Sequence, residues 1–205
     1  MKAIMLIGID MDEVKRVLGK VEPKEQNKVL KKALKVTAEQ ARDRLSDKAQ
    51  SSYTIRNAGF KRAMKIKSTS SGNPSATIRS EGEPIPLKEF KVRRGRVTKA
   101  QVVKSGSMKP LVYQRSGIQA FVNNIANKNQ VRKRDTKKGK KGTQVRHMAV
   151  AQREGAGRLG IHEKFSNSIP VMLGSDKHVY GVVEPFIAGD LQENLRKFVD
   201  QALGG

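Results

Sequence analysis

The sequence holds no cysteine and no tryptophan, and aromatic residues make up only 4% of its 205 positions. Without thiols there are no disulfides and no thiolate metal sites, which fits a reducing compartment. With so few rings, any core must be aliphatic, and single-stranded nucleic acid finds few platforms for base stacking. No apolar run reaches the ~18 residues that a membrane-spanning helix needs, so no membrane is expected as a partner. The apolar opening, residues 1–9, is short and poorly flanked for a secretory signal and reads as a first β-strand.

Acidic residues are scarce in one region above all. The chain carries 42 Lys and Arg against 19 Asp and Glu, a net charge of +23. Residues 1–52 hold 12 basic and 8 acidic side chains, residues 53–160 hold 26 and 5, and residues 161–205 hold 4 and 6. The excess therefore sits in the middle, where a polyanion or an acidic partner is expected. One cluster is Lys91, Arg93, Arg94, Arg96 and Lys99; the other is Arg132, Lys133, Arg134, Lys137, Lys138, Lys140 and Lys141. The second falls in residues 127–143, which have almost no apolar side chains to offset the entropy of ordering them. That segment reads as a mobile basic loop within a single domain spanning 1–205. It would suit phosphate contact without base readout, because counterion release drives such binding; the alternative is a solvated loop with no specific role.

Periodicity organises the rest. Asp10 reads as a helix cap with Glu13 three residues on, followed by Met11, Val14, Val17 and Leu18 at helical spacing. Pro23 suits the first turn of a second helix of about 25 residues, whose stripe is Leu30, Leu34, Ala38, Ala41, Leu45 and Ala49. The natural role of that stripe is core packing. Residues 63–68 and 76–80 alternate as half-buried strands around a Ser-Ser-Gly-Asn-Pro turn. Residues 84–87 are held extended by two prolines, and 90–103 form a strand or a hairpin through Gly95. Further strands are expected at 119–125 and 145–152, with two short apolar stretches at 168–173 and 178–183. A last helix is expected to start at a capping Asp190 and to present Leu191, Leu195, Phe198, Val199 and Ala202 before Gly204-Gly205. The expected class is α+β: an antiparallel sheet packed against a long N-terminal helix and a C-terminal helix, with a long basic loop.

No catalytic constellation is expected. Gly155, Gly157 and Gly160 match the spacing of a dinucleotide loop, but 161–170 offers no apolar helical stripe to follow it. His147, His162 and His178 are too far apart to share a helical turn, so no metal site is expected. There is no G-x-S-x-G and no Walker A order of glycine and lysine. The expectation is a protein that is not an enzyme and takes no cofactor.

Several local patterns occur in a distinctive order. The long helix contains Ala41-Arg42-Asp43-Arg44-Leu45 and is followed by Tyr53-Thr54-Ile55-Arg56 and Met64-Lys65-Ile66-Lys67. Then come Ala76-Thr77-Ile78, Ile85-Pro86-Leu87-Lys88-Glu89-Phe90, Gln119-Ala120-Phe121-Val122, Arg158-Leu159-Gly160-Ile161 and Ser168-Ile169-Pro170-Val171-Met172. This order, spanning nearly the whole chain, resembles the minor tail protein Z family of tailed bacteriophages and prophages, also called tail completion proteins. The chain departs from the family's pattern at Gly160, where a proline is usual, and in its longer basic segment. The resemblance implies a structural virion protein at the head-proximal end, or neck, of the tail. It implies a homo-oligomeric ring, commonly sixfold in such components, around a DNA-conducting lumen. The implied partners are tail terminator, tail tube and head–tail connector proteins and the genomic DNA passing through. The implied setting is the host cytoplasm during assembly and then the virion. Within that frame Leu30, Leu34, Ala38, Ala41 and Leu45 would serve packing and assembly, and the two basic clusters would face DNA or a neighbouring ring. From composition alone, the alternative is a free, sequence-nonspecific nucleic-acid-binding protein.

Overall fold

The computed structural model describes residues 2–5, 11–55, 58–69, 74–112, 117–131, 144–153 and 160–204. In chain order the elements are β1 (Lys2–Met5), α1 (Met11–Leu18), α2 (Pro23–Ser52), α3 (Phe60–Ala63), β2 (Met64–Thr69), β3 (Ser75–Glu81) and β4 (Pro84–Pro86). A 3₁₀ turn (Leu87–Glu89) follows, then β5 (Lys91–Arg93), β6 (Lys99–Gln101), β7 (Lys109–Pro110), β8 (Phe121–Val131) and β9 (Gln144–Arg153). The chain ends with β10 (Ile161–Glu163), β11 (Phe165–Ser168), α4 (Ile169–Leu173) and α5 (Tyr180–Ala202). The fold is α+β with small antiparallel sheets and long N-terminal and C-terminal helices. It forms two compact units: residues 1–52, 57–83 and 167–205 make the first, and residues 53–56 and 84–166 the second.

The first unit is a helical layer with a three-stranded sheet of order β1-β3-β2. Its main cluster gathers Val14 and Leu18 of α1, Val29 and Ala33 of α2, and Leu191, Leu195 and Val199 of α5. Each valine or leucine among them contributes about 1.5–3 kcal/mol by leaving water. In α2 the second half of the expected stripe is right: Ala38, Ala41, Leu45 and Ala49 are buried. In the first half the buried line runs one residue earlier, through Val29, Ala33 and Thr37. Leu30 and Leu34 are only half-buried and flank the cluster. A 30-residue helix has room for its buried face to shift between partners, and here the early part of that face meets α1 and α5.

The C-terminal helix corrects the expectation most. It begins at Tyr180, ten residues before Asp190, so Asp190 sits in mid-helix and caps nothing. Gly181 and Pro185 resemble helix breakers. Gly181 is instead required by packing, since a Cβ there would lie 2.5 Å from the carbonyl oxygen of Asp176. Pro185 falls in the second turn, and the helix continues through it. Asp190 accepts a hydrogen bond from Arg44 on α2 at 2.8 Å, and its side chain is only 13% exposed. A second tie starts from a buried side chain: the Asn194 amide donates to buried Thr37 Oγ1 at 3.0 Å and to Gln40 Oε1, at the exposed edge, at 2.7 Å. At the far end Gly204 adopts φ 92°, a left-handed conformation that suits glycine after a helix. Asp10, the expected cap of α1, lies outside the described residues.

In the second unit β8 and β9 pair as a long antiparallel hairpin, with β10 on the outer side of β9. The expected loop at 127–143 is shorter than thought, because 127–131 continue β8, and Val131 pairs with Gln144 across a register shift. Backbone hydrogen bonding to a partner strand extends a hairpin without needing apolar side chains. Ala149, Val150 and Ala151 of β9 are fully buried, so small aliphatic residues make this core.

Candidate polyanion-binding sheet

The first basic cluster occupies one structure, the sheet of order β5-β6-β7. Phe90, 5% exposed, and Leu87, 6% exposed, anchor the chain where it enters β5. Of the two forms expected for 90–103, the hairpin around Gly95 is the one present, with β5 and β6 in the register Lys91↔Gln101, Val92↔Ala100 and Arg93↔Lys99. Opposed residues of an antiparallel pair project to the same face. Lys91, Arg93, Lys99 and Gln101 therefore share one face, and Val92 and Ala100 share the other. Burial follows that alternation: the three cations are exposed, Val92 is half-buried and Ala100 is 5% exposed. Arg94 and Arg96 are exposed in the connecting turn.

The hairpin is held from both sides. Tyr53 bridges to Val103, and the Thr54 backbone N–H donates to the Val102 carbonyl at 2.9 Å. The Lys91 N–H donates to Thr54 Oγ1 at 3.3 Å. On the other side the Leu111 N–H donates to the carbonyl of buried Thr98 at 2.9 Å. At the turn, Arg94 donates to the sulfur of Met148 on β9 at 2.9 Å. The basic face is thus backed by backbone pairing and tied to the β8–β9 hairpin.

Its electrostatics are one-sided. Residues 90–112 contain seven Lys and Arg and no Asp or Glu. Among the described residues no carboxylate lies within ion-pairing distance of Lys91, Arg93, Arg94, Arg96 or Lys99. Arg93 faces Lys99 directly, an arrangement of like charges that weakens a sheet. The first unit behaves differently. There Lys61 and Arg42 flank Asp43, and the hydrogen bond from Lys61 holds its carboxyl below the usual range.

Comparison with protein-family models, curated proteins and solved structures found no match to this chain.

The second basic cluster, Arg132, Lys133, Arg134, Lys137, Lys138, Lys140 and Lys141, lies outside the described residues, between the paired ends Val131 and Gln144. The structure therefore places the first cluster on one sheet; the position of the second is outside what it describes. Gly155 and Gly157 of the glycine motif also lie outside the described residues, but what flanks the motif is described. β9 precedes it, and β10 follows as the antiparallel neighbour of β9. A dinucleotide loop instead opens a helix whose N-terminus meets the pyrophosphate.

Two features escaped the sequence reading. Lys109 on β7 stands opposite Ala100, adding a cation on the second face of the sheet. Its signal was only the absence of acidic residues around it. The second feature is a pair, His147 Nε2 and Glu163 Oε2, 2.9 Å apart. These residues are sixteen positions apart on β9 and β10, so only strand pairing brings them together. His147 Nδ1 and Glu163 Oε1 are buried without a hydrogen-bond partner. Among the described residues no third ligand joins them to hold a metal.

Proposed function

We propose that this chain is a structural virion protein that completes the head-proximal end of a phage tail. It forms part of a DNA-conducting ring and supports the joining of head and tail. The observation that carries this reading is the uncompensated basic sheet, taken with the ordered motifs that resemble tail completion proteins. A sheet that opposes Arg93 to Lys99 and has no carboxylate beside it among the described residues is suited to a site where a polyanion supplies the counter-charge. Chemistry is not its role, and it needs no cofactor. In a ring each subunit presents different faces to its two neighbours, a heterologous arrangement. Tail terminator, tail tube and connector proteins are the neighbours along the axis. The protein assembles in the host cytoplasm and stays in the virion.

Electron microscopy of particles made without this protein tests the reading. Headless tails and heads that fail to deliver DNA are expected, while normal infectious particles would overturn it. The same basic sheet also suits a free, sequence-nonspecific nucleic-acid-binding protein. Tight, salt-sensitive binding by the isolated monomer, with no affinity for tail components, would favour that second reading.

A further inference from the structure

The geometry points to the Lys91–Arg93–Lys99 face as a sequence-blind seat for the phosphate backbone of a nucleic-acid duplex. This inference shares with the reading above the premise that the basic sheet meets a polyanion, and it names that polyanion and the residues that touch it.

Three observations select the ligand. The first is charge density. A three-residue strand such as β5 is about 10 Å long. Over that length a DNA duplex presents roughly six phosphate charges, one per ~1.7 Å of axis. The hairpin offers three exposed cations over that span, Lys91, Arg93 and Lys99, and two more, Arg94 and Arg96, in the turn beyond it. A phosphate polymer matches such a density. The second is the lack of an apolar anchor. A protein interface concentrates its energy in buried aromatic or aliphatic side chains. Among the described residues of this sheet, Lys91, Arg93 and Lys99 share the face with Gln101 and with Pro110, which pairs with Lys99, and the exposed apolar side chain beside the turn, Met148, is already engaged by Arg94. The third is the absence of a free amide donor or a stacking ring beside the cations. The Gln101 amide is already spent on the carbonyls of Lys104 and Gly106, leaving it no free donor for a base edge. Phe90, the nearest ring in sequence, is buried and unavailable for stacking on unpaired bases. The face therefore has cations for phosphates and no ring for unpaired bases, which favours a duplex over a single strand.

The opposed cations Arg93 and Lys99 give the interaction a further source. Their repulsion is present in the free protein and is relieved when phosphates neutralise them, so the relief adds to binding.

The test is a fluorescence-anisotropy titration of the full chain with a labelled duplex of random sequence at several salt concentrations. Each phosphate contact contributes about 0.9 to the slope of log affinity against log salt. The triple variant Lys91→Gln/Arg93→Gln/Lys99→Gln is expected to lower that slope by about 2 to 3 and to weaken binding at low salt by about tenfold or more. The control Lys24→Gln/Lys32→Gln/Lys35→Gln removes the same charge from exposed positions of α2 and is expected to leave the slope unchanged. The single variant Arg93→Gln should lower the slope by about 1, which keeps the test decisive if the triple variant folds poorly. An unchanged slope in the hairpin variants overturns the inference, and so does an equal loss in the α2 control. A preference for single-stranded DNA or for polyglutamate over the duplex also overturns it. These titrations need no particles. Hairpin-dependent duplex binding by a chain whose loss leaves virions normal would keep this inference and sink the neck reading.

Discussion

The two units divide the charge of the chain unequally. The first unit holds 20 Lys and Arg against 15 Asp and Glu, and the second holds 22 against 4. In the first, the charges answer one another: Arg44 pairs with Asp190, and Lys61 with Asp43. In the second, the cations of the β5–β6 hairpin stand without a carboxylate partner among the described residues. The cores differ in the same direction. Leucine, valine, isoleucine and methionine outnumber the buried alanines of α2 in the first, while Ala100, Ala120, Ala149 and Ala151 supply much of the second. The lesson is that a net charge of +23 does not describe this protein evenly. It describes one unit adapted to something outside the chain, beside another unit that is nearly balanced by itself.

Substitutions can break or sharpen that contrast. The largest effect belongs to the first unit's core. Leu195 is 1% exposed, and Leu195→Ala should cost about 3 kcal/mol of unfolding free energy in urea titrations. A loss well under 1 kcal/mol would show that the helical cluster does not carry the stability assigned to it. The next effect appears only in alkali. Burial, together with Glu184 and Asp176 nearby, pushes the Tyr180 hydroxyl up to about 12 from its ordinary 10.0. Because the folded-state value is raised, this contribution is fully present below pH 10 and is lost as the pH climbs towards 12. The stability difference between parent and Tyr180→Phe should therefore be flat below pH 10 and fall between 10 and 12, as followed by urea midpoints at each pH. A difference that stays constant across that window would refute the assignment. The smallest effect has the opposite sign. Arg93→Gln relieves the repulsion with Lys99 and should raise stability by roughly 0.2–1 kcal/mol at low salt, vanishing as salt is added. A destabilised variant would mean that Arg93 is structurally required, against the picture of a surface that sacrifices stability for a ligand.

The outcome of reading the sequence depended on whether a signal was local. Pro23 at the start of α2, the alternation in β2 and β3, and the hairpin around Gly95 are all encoded within a few residues, and each was legible. The start of α5 was not. Gly181 and Pro185 carry the local mark of a break, but Gly181 answers to the Asp176 backbone pressed against it. Asp190 has the local mark of a cap, yet its partner is Arg44, 146 positions away. The one-residue shift in the early stripe of α2 has the same origin, since what selects Val29 and Ala33 over Leu30 and Leu34 is the location of α1 and α5. The first basic cluster was visible as a run of charge. Its division into a cationic face and an apolar face could be read only once the register was known. The pairing of His147 with Glu163 depends wholly on strand order and left no mark in the sequence.

The bond from Asn194 to Thr37 and Gln40 has a mechanical consequence. Two smooth aliphatic helix faces could slide by one turn, 5.4 Å, at modest cost. Here such a slip would carry a buried amide away from both of its acceptors and leave it among leucine and valine side chains, where an unsatisfied polar group is expensive. The contact works as a detent, and together with the Arg44–Asp190 pair it fixes α5 along α2. A load applied to the last helix is then passed to the 30-residue α2 as a push on a strut, not dissipated as slippage between them.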